Sequence, residues 1–200
     1  MNQILLITAL QAEARPIIEH FGLEKIRLTK DLFYFRKDNI SCLTTGVGKK
    51  KIRKRLKPFL EKTKFLDKSI LINVGIAGGN SDHTQIGEMF LVNQIMNEEN
   101  NKVYDLEMLL KTWLRELPLT TVNAGVVNGG KDYNGLVDME AAAIVETSLQ
   151  FIPIQRMVFL KIVSDYMDKV LDTPEQVYPL MNSQLPEISK ITSLLLEKSL

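Results

Sequence analysis

The chain has 200 residues, 45% of them hydrophobic, enough to bury one sizeable core, so a single domain over 1–200 is expected. A formal net charge of +1 argues against a dedicated nucleic-acid binder, whose domain would be clearly basic. The lone cysteine, Cys42, excludes an internal disulfide framework, and no run approaches the roughly 20 apolar residues needed to cross a bilayer.

The first residues, MNQILLITALQAEARP, have neither a basic leader nor a cleavage signal, so the expectation is a cytoplasmic protein with no membrane partner. QILLITA reads as a short buried strand. Ala14, Ile17, Ile18 and Phe21 then form a helical stripe that Gly22 ends. LFYFRKDNISCLTT predicts a hairpin turning at Asp38–Asn39, and a helix is expected from about Lys50 to Lys62. SILINVGIAGG and EMFLVNQIM read as strands, and VYDLEMLLKTWLREL as an amphipathic segment. TTVNAGVVNGG reads as a strand ending in glycines, DMEAAAIVETSL as a helix and RMVFLKIVSD as a strand. Thr173 and Pro174, a cap residue followed by proline at the first helical position, announce a closing helix interrupted near Pro186. Strands alternating with helices predict an α/β fold: a three-layer sandwich with a central mixed, largely parallel sheet flanked by helices.

Several polar groups fall at the carboxyl ends of these strands, where open α/β sheets bind ligands. Glu13 follows the first strand, Gly75–Gly79 end a middle one, Asn128–Lys131 another, and Ser164–Asp165 the last. The turn in NVGIAGG lets backbone approach a ligand closely, but it lacks the spacing of a dinucleotide fingerprint. Asp138 and Glu140 open a small-residue helix. Asp138 suits the cap, whereas Glu140 borders the buried stripe, and by themselves both acids need do no more than complement the helix dipole. GVGKKKIRKRLKPFL, 46–60, carries seven basic residues, yet Ile52, Leu56, Phe59 and Leu60 stripe through it. Its lysines and arginines are better read as a solvated face than as a phosphate or RNA patch, since no aromatics interleave to stack bases. His20 and His83 stand in unrelated contexts, no metal-ligand spacing occurs, and neither a serine nor a cysteine sits in a nucleophile motif. Glu13, Glu140 and Asp165 remain as a trio of acids near strand ends. Glu13 lies in a largely apolar segment, where burial raises a carboxyl pKa toward useful acid–base values.

ITALQAEARPII, TGVGK, INVGIAGG, VDMEAAAIVE and FLKIVSDYMD follow the order and approximate spacing of the nucleoside phosphorylase superfamily. The chain most resembles, in a shortened form, its nucleosidase branch, which cleaves methylthioadenosine and S-adenosylhomocysteine in methionine salvage. The resemblance thins between about residues 95 and 135. It implies that Glu13 activates water and that Asp165, supported by Ser164, protonates or hydrogen-bonds the purine's imidazole-ring nitrogen. It further implies that Glu140 holds the ribose hydroxyls and that Met139 packs beneath sugar and base. Gly78 and Ala9 would line the nucleoside, Lys161 would replace a commonly found arginine, and Tyr133 would substitute for part of the base-binding segment. Phosphorylases place arginines and a serine around phosphate, where this chain has Glu13, Asn73 and Ile76, so water is the expected nucleophile, although Arg15 could in principle compensate. A carboxylate there repels phosphate and polarises water. The implied protein is an N-glycosyl hydrolase without metal or organic cofactor, a homodimer acting on a small-molecule nucleoside. Hydrolysis of another nucleoside such as futalosine, phosphorolysis, and a catalytically silent nucleoside-binding member remain the alternatives.

Overall fold

The computed structural model describes residues 2–63, 69–106, 112–169, 171 and 173–197. Strand β1 (Gln3–Thr8) shows why its apolar run is continuous rather than alternating. Successive strand side chains point to opposite faces, and here both faces are buried. Leu5 and Ile7 enter one hydrophobic cluster, Ile4 and Leu6 a second. Helix α1 (Gln11–Phe21) turns Ala14 and Ile17 into the second cluster, and Gly22, at φ 61°, ends it in the left-handed conformation glycine adopts without steric cost. Strands β2 (Glu24–Arg27), β3 (Phe33–Lys37) and β4 (Ile40–Thr44) follow, the β3–β4 hairpin turning at Asp38. Helix α2 (Lys49–Thr63) buries the expected Ile52, Leu56, Phe59 and Leu60 in the first cluster.

Strand β5 (Ser69–Gly79) runs beside β1. Strands β6 (Met89–Asn97), β7 (Lys102–Asp105), β8 (Glu116–Thr121) and β9 (Leu136–Asp138) lead to helix α3 (Ala141–Ser148). Strand β10 (Met157–Asp165) is buried throughout, and helices α4 (Pro174–Ser183) and α5 (Leu185–Glu197) close the chain with Thr173 and Pro174 at the predicted start. Helices α2 and α3 cover one face of the sheet, and α1, α4 and α5 the other.

The sheet is mixed, but it is neither largely parallel nor an open sandwich layer. Five of the ten pairings are parallel, β1–β4, β1–β5, β5–β10, β6–β8 and β8–β9, and five are antiparallel. Pairing of β5 with both β10 and β9 closes β5–β10–β6–β8–β9 into a five-strand barrel, from which β1, β4, β3 and β2 continue as an open arm. The long β5 makes this possible: its final glycines pair with β9 while its earlier residues pair with β1.

Three local expectations change. VYDLEMLLKTWLREL begins in strand β7 and ends in strand β8; its middle, 107–111, lies outside the described residues. TTVNAGVVNGG leaves the sheet at Thr121, so Asn128–Lys131 sit in a connecting loop rather than at a strand end. The helix expected from Asp138 starts at Ala141, because Leu136–Asp138 pair with β5 and β8. Tertiary pairing overrides the local signal in each case. No helix among the described residues is long and apolar enough to cross a membrane.

Candidate active site

Carboxyl ends of β1, β5 and β10, the end of β9 and the start of α2 surround a cavity of about 420 Å³. Glu13, Gly78, Met139, Glu140, Ser164, Asp165 and Ala9, all singled out from the sequence, line it. Lys161 and Tyr133 do not. Lys161 stands behind the wall, and Tyr133 instead directs its hydroxyl to Glu98 at 2.6 Å.

Glu13 sits in the first turn of α1. Its Oε2 accepts the N–H groups of Ala9 (2.8 Å) and Leu10 (2.9 Å), the reach-back half of a capping box, while Oε1 accepts the Ile76 N–H of β5 (3.0 Å). The side chain thus clamps the β1–α1 turn to the neighbouring strand. Gly75 makes the room, since a Cβ there would lie 2.7 Å from Glu13 Oε1. Burial raises the Glu13 pKa against the lowering effect of those N–H groups and of Lys161. Oε2 uses both of its lone pairs on the Ala9 and Leu10 N–H groups, whereas Oε1, accepting one N–H, keeps a lone pair free to receive a proton.

Asp165 is placed by a register irregularity in β10 between Val163 and Asp165, a bulge that re-aims side chains beside a site. Ser164 Oγ donates to Asp165 Oδ2 (2.6 Å), and the Met167 N–H donates to Oδ1 (2.8 Å). Met167 has φ 58°, unusual for a residue with a side chain, and its methylene stem lies over Gly78 and Gly130. Nothing in the sequence announces that turn, although Met167 lines the cavity.

Glu140 precedes α3 and is held at a second helix start: Gly48, just before α2, donates its N–H to Oε1 (3.1 Å), and Met139 to Oε2 (3.2 Å). Its pKa is raised to about 7, by burial first and then by the neighbouring Asp138 charge. At neutral pH it therefore exchanges a proton readily. The cap position of α3 falls to Glu140 rather than to Asp138, which ends β9; Asp138 still accepts the Ala141 N–H at the helix start (3.0 Å), but it does more. It accepts the Thr121 hydroxyl (2.7 Å) and forms a buried ion pair with Lys161 (2.9 Å), side chains 1% and 2% exposed. Burial alone would lower the Lys161 pKa; Asp138, Glu140 and Glu13 outweigh it and raise it. Only the residue types were legible in the sequence: the pairing joins the end of β9 to the middle of β10, 23 positions apart.

Arg15 points elsewhere, with a 73% exposed side chain paired to Glu19 (2.8 Å), and Asn73 donates to the Ile7 carbonyl (3.0 Å). Among the described residues no arginine lines the cavity, and its buried charged lining consists of Glu13, Asp138, Glu140 and Asp165.

No protein-family model and no curated protein matches this sequence. Solved structures do. The chain superposes on the apo 5′-methylthioadenosine nucleosidase of Arabidopsis thaliana with a TM-score of 0.81 at 20% identity, over 100% of this chain and 98% of that one. The fold is that of the methylthioadenosine nucleosidases. A variant of the Chlamydia trachomatis nucleosidase bound to methylthioadenosine gives 0.75 at 16% identity, covering 96% and 99%. A Helicobacter pylori mutant with 5′-methylthioadenosine in its active site gives 0.76 at 14%, again covering 96% and 99%. The nucleosidase-like resemblance of the motifs and the similarity of the folds therefore agree.

Proposed function

We propose that the protein is a nucleosidase that hydrolyses the N-glycosidic bond of a 5′-substituted adenosine such as methylthioadenosine or S-adenosylhomocysteine. The observation that carries this reading is the convergence of three buried carboxyl groups, Glu13, Glu140 and Asp165, on one cavity of a nucleosidase fold. Glycosidic cleavage builds positive charge on the sugar and negative charge on the departing base. Asp165, steadied by Ser164 and the Met167 N–H, delivers a proton or hydrogen bond to the purine ring nitrogen. Glu140 binds the ribose hydroxyls, and its carboxylate form is favoured as the sugar becomes cationic. Glu13, its basicity increased by burial, takes the proton of the attacking water. Met139 and the backbone at Gly78 and Ala9 bound the sugar and base. Lys161 acts from behind, holding Asp138 and limiting how far the pKa values of Glu13 and Glu140 rise. Tyr133 takes no part in binding.

Water rather than phosphate is the nucleophile in this reading, because a phosphate at the cavity floor would meet buried carboxylates, while the lining lysines, Lys51 and Lys169, are exposed at the rim. The protein would work in the cytoplasm as a homodimer, in methionine salvage. A second reading, a silent nucleoside binder, draws on Ile76: a side chain without a polar group stands where nucleosidases usually offer a serine. Incubation with methylthioadenosine, S-adenosylhomocysteine, adenosine, inosine and futalosine, with free base followed by chromatography, separates the two. Base is expected from a 5′-substituted adenosine. Release from futalosine alone would move the assignment to that substrate, and no release from folded protein at high concentration would favour the silent binder.

A further inference from the structure

The charges lining the cavity are sorted by depth. Glu13, Asp138, Glu140 and Asp165 are buried, whereas the two lining cations, Lys51 and Lys169, are exposed at the rim. Lys51 belongs to the first turn of α2, which holds Lys49, Lys50 and Lys51 without an acid. Its neighbour Lys49 is engaged by Glu99 at 2.5 Å, but among the described residues Lys51 and Lys169 form no ion pair. The Lys51 stem is not loose in solvent: it lies over Gly46, where an added Cβ would fall 2.8 Å from its Cδ. Lys169 approaches on the segment that follows Asp165. The acid beside it, Asp168, is turned to the Tyr166 N–H (3.3 Å) and does not line the cavity.

A ligand filling this space meets anions at one end and cations at the other. An uncharged tail would use neither lysine, and an anionic group at the floor would be repelled by the carboxylates. We propose that Lys51 and Lys169 select a nucleoside whose 5′ substituent ends in an anionic group, a carboxylate or a phosphate. This rests on the nucleosidase reading for the direction in which the nucleoside lies: base at Asp165, ribose at Glu140 beside the start of α2, tail toward the rim. The lysines are specificity residues and touch no reacting atom.

Calorimetric titration of the full chain tests this with C-nucleoside analogues of adenosine, whose carbon–carbon bond to the base resists hydrolysis. One carries a 5′-carboxymethylthio group, one the corresponding amide, and one a 5′-phosphate. The carboxylate is expected to bind roughly tenfold more tightly than the amide at low salt, as two partly exposed ion pairs allow. That preference should shrink in Lys51→Gln and in Lys169→Gln, vanish in the double variant, and fade at high salt while amide binding stays constant. The phosphate arm shows which anion is preferred. Equal binding of acid and amide, or a preference that survives in the double variant, would overturn the proposal and leave the nucleosidase reading intact. An acid preference in a protein that releases no base from any nucleoside would keep the recognition and remove the catalysis. Binding of no analogue would overturn both. If inorganic phosphate alone binds through the lysines and drives base release, they serve a phosphate nucleophile and the proposal fails.

Discussion

Charged side chains at the cavity floor and on the outer face of α2 form ion pairs of similar length under opposite conditions. Lys161 and Asp138 pair at 2.9 Å with almost no solvent contact; Arg53 and Glu146 pair at 3.1 Å with the arginine 62% exposed, and Lys57 and Glu61 only approach to 4.0 Å. Water screens the α2 pairs, so they contribute little beyond solubility. At the floor, three carboxyl groups share one ammonium, and the protonation of Glu13 and Glu140 is set first by burial and then by their hydrogen bonds and neighbouring charges. A sequence run with seven basic residues is thus the solvated part of the molecule, and four scattered acids with one lysine are the buried part.

The comparison breaks most sharply where a floor carboxyl is neutralised. Asp165→Asn keeps an acceptor for the Met167 N–H but cannot deliver a proton, so kcat is expected to fall by roughly 10²–10⁴ with the melting temperature little changed. Lys161→Met strands the Asp138 carboxylate in the interior and should cost about 3–5 kcal/mol in denaturant unfolding. Lys161→Arg should recover much of that loss. Removing both charges, Asp138→Leu with Lys161→Met, should be far milder than the single lysine variant, because no uncompensated charge remains.

Position matters as well as charge. Gly75→Ala places a methyl against Glu13 Oε1, and displacing that carboxylate by about 1 Å should lower kcat roughly 10²-fold without unfolding the protein. Smaller again is a pH effect on stability. Glu140 holds its proton to about pH 7 when folded, against an ordinary value of 4.5, so the folded state binds more protons across that window. The ligand-free protein should therefore lose stability as pH rises from about 4.5 through about 7, and Glu140→Gln should flatten the curve of melting temperature against pH. Glu13 contributes in the same direction. At the bottom of the scale, Lys57→Ala and Glu61→Ala should leave the melting temperature unchanged, with any difference erased by salt.

Half of the floor was legible because Glu13 and Asp165 follow or end strands that are themselves easy to read, the continuous apolar runs in β1 and β10, and the apolar run of β5 between them stops in a glycine-rich turn. What was not legible depends on pairings across the chain. The three-residue β9 and the polar edge strand β2 carry too little pattern to show alone, and barrel closure through β5–β9 is a contact between glycines and an apparent helix start. Lys161 stands in a continuous apolar strand, and only the fold sets it against Asp138. Gly75 and Met167 matter through the space one leaves and the turn the other makes, neither of which is a residue-type signal.

The most direct test of the central claim, water activated by a buried carboxylate, is the phosphate dependence of base release by wild type and Glu13→Gln. The account predicts release in phosphate-free buffer that added phosphate does not accelerate, with kcat/KM rising through a glutamate pKa above its ordinary value, and near-complete loss in Glu13→Gln. Release that requires phosphate, or that survives Glu13→Gln undiminished, would contradict it.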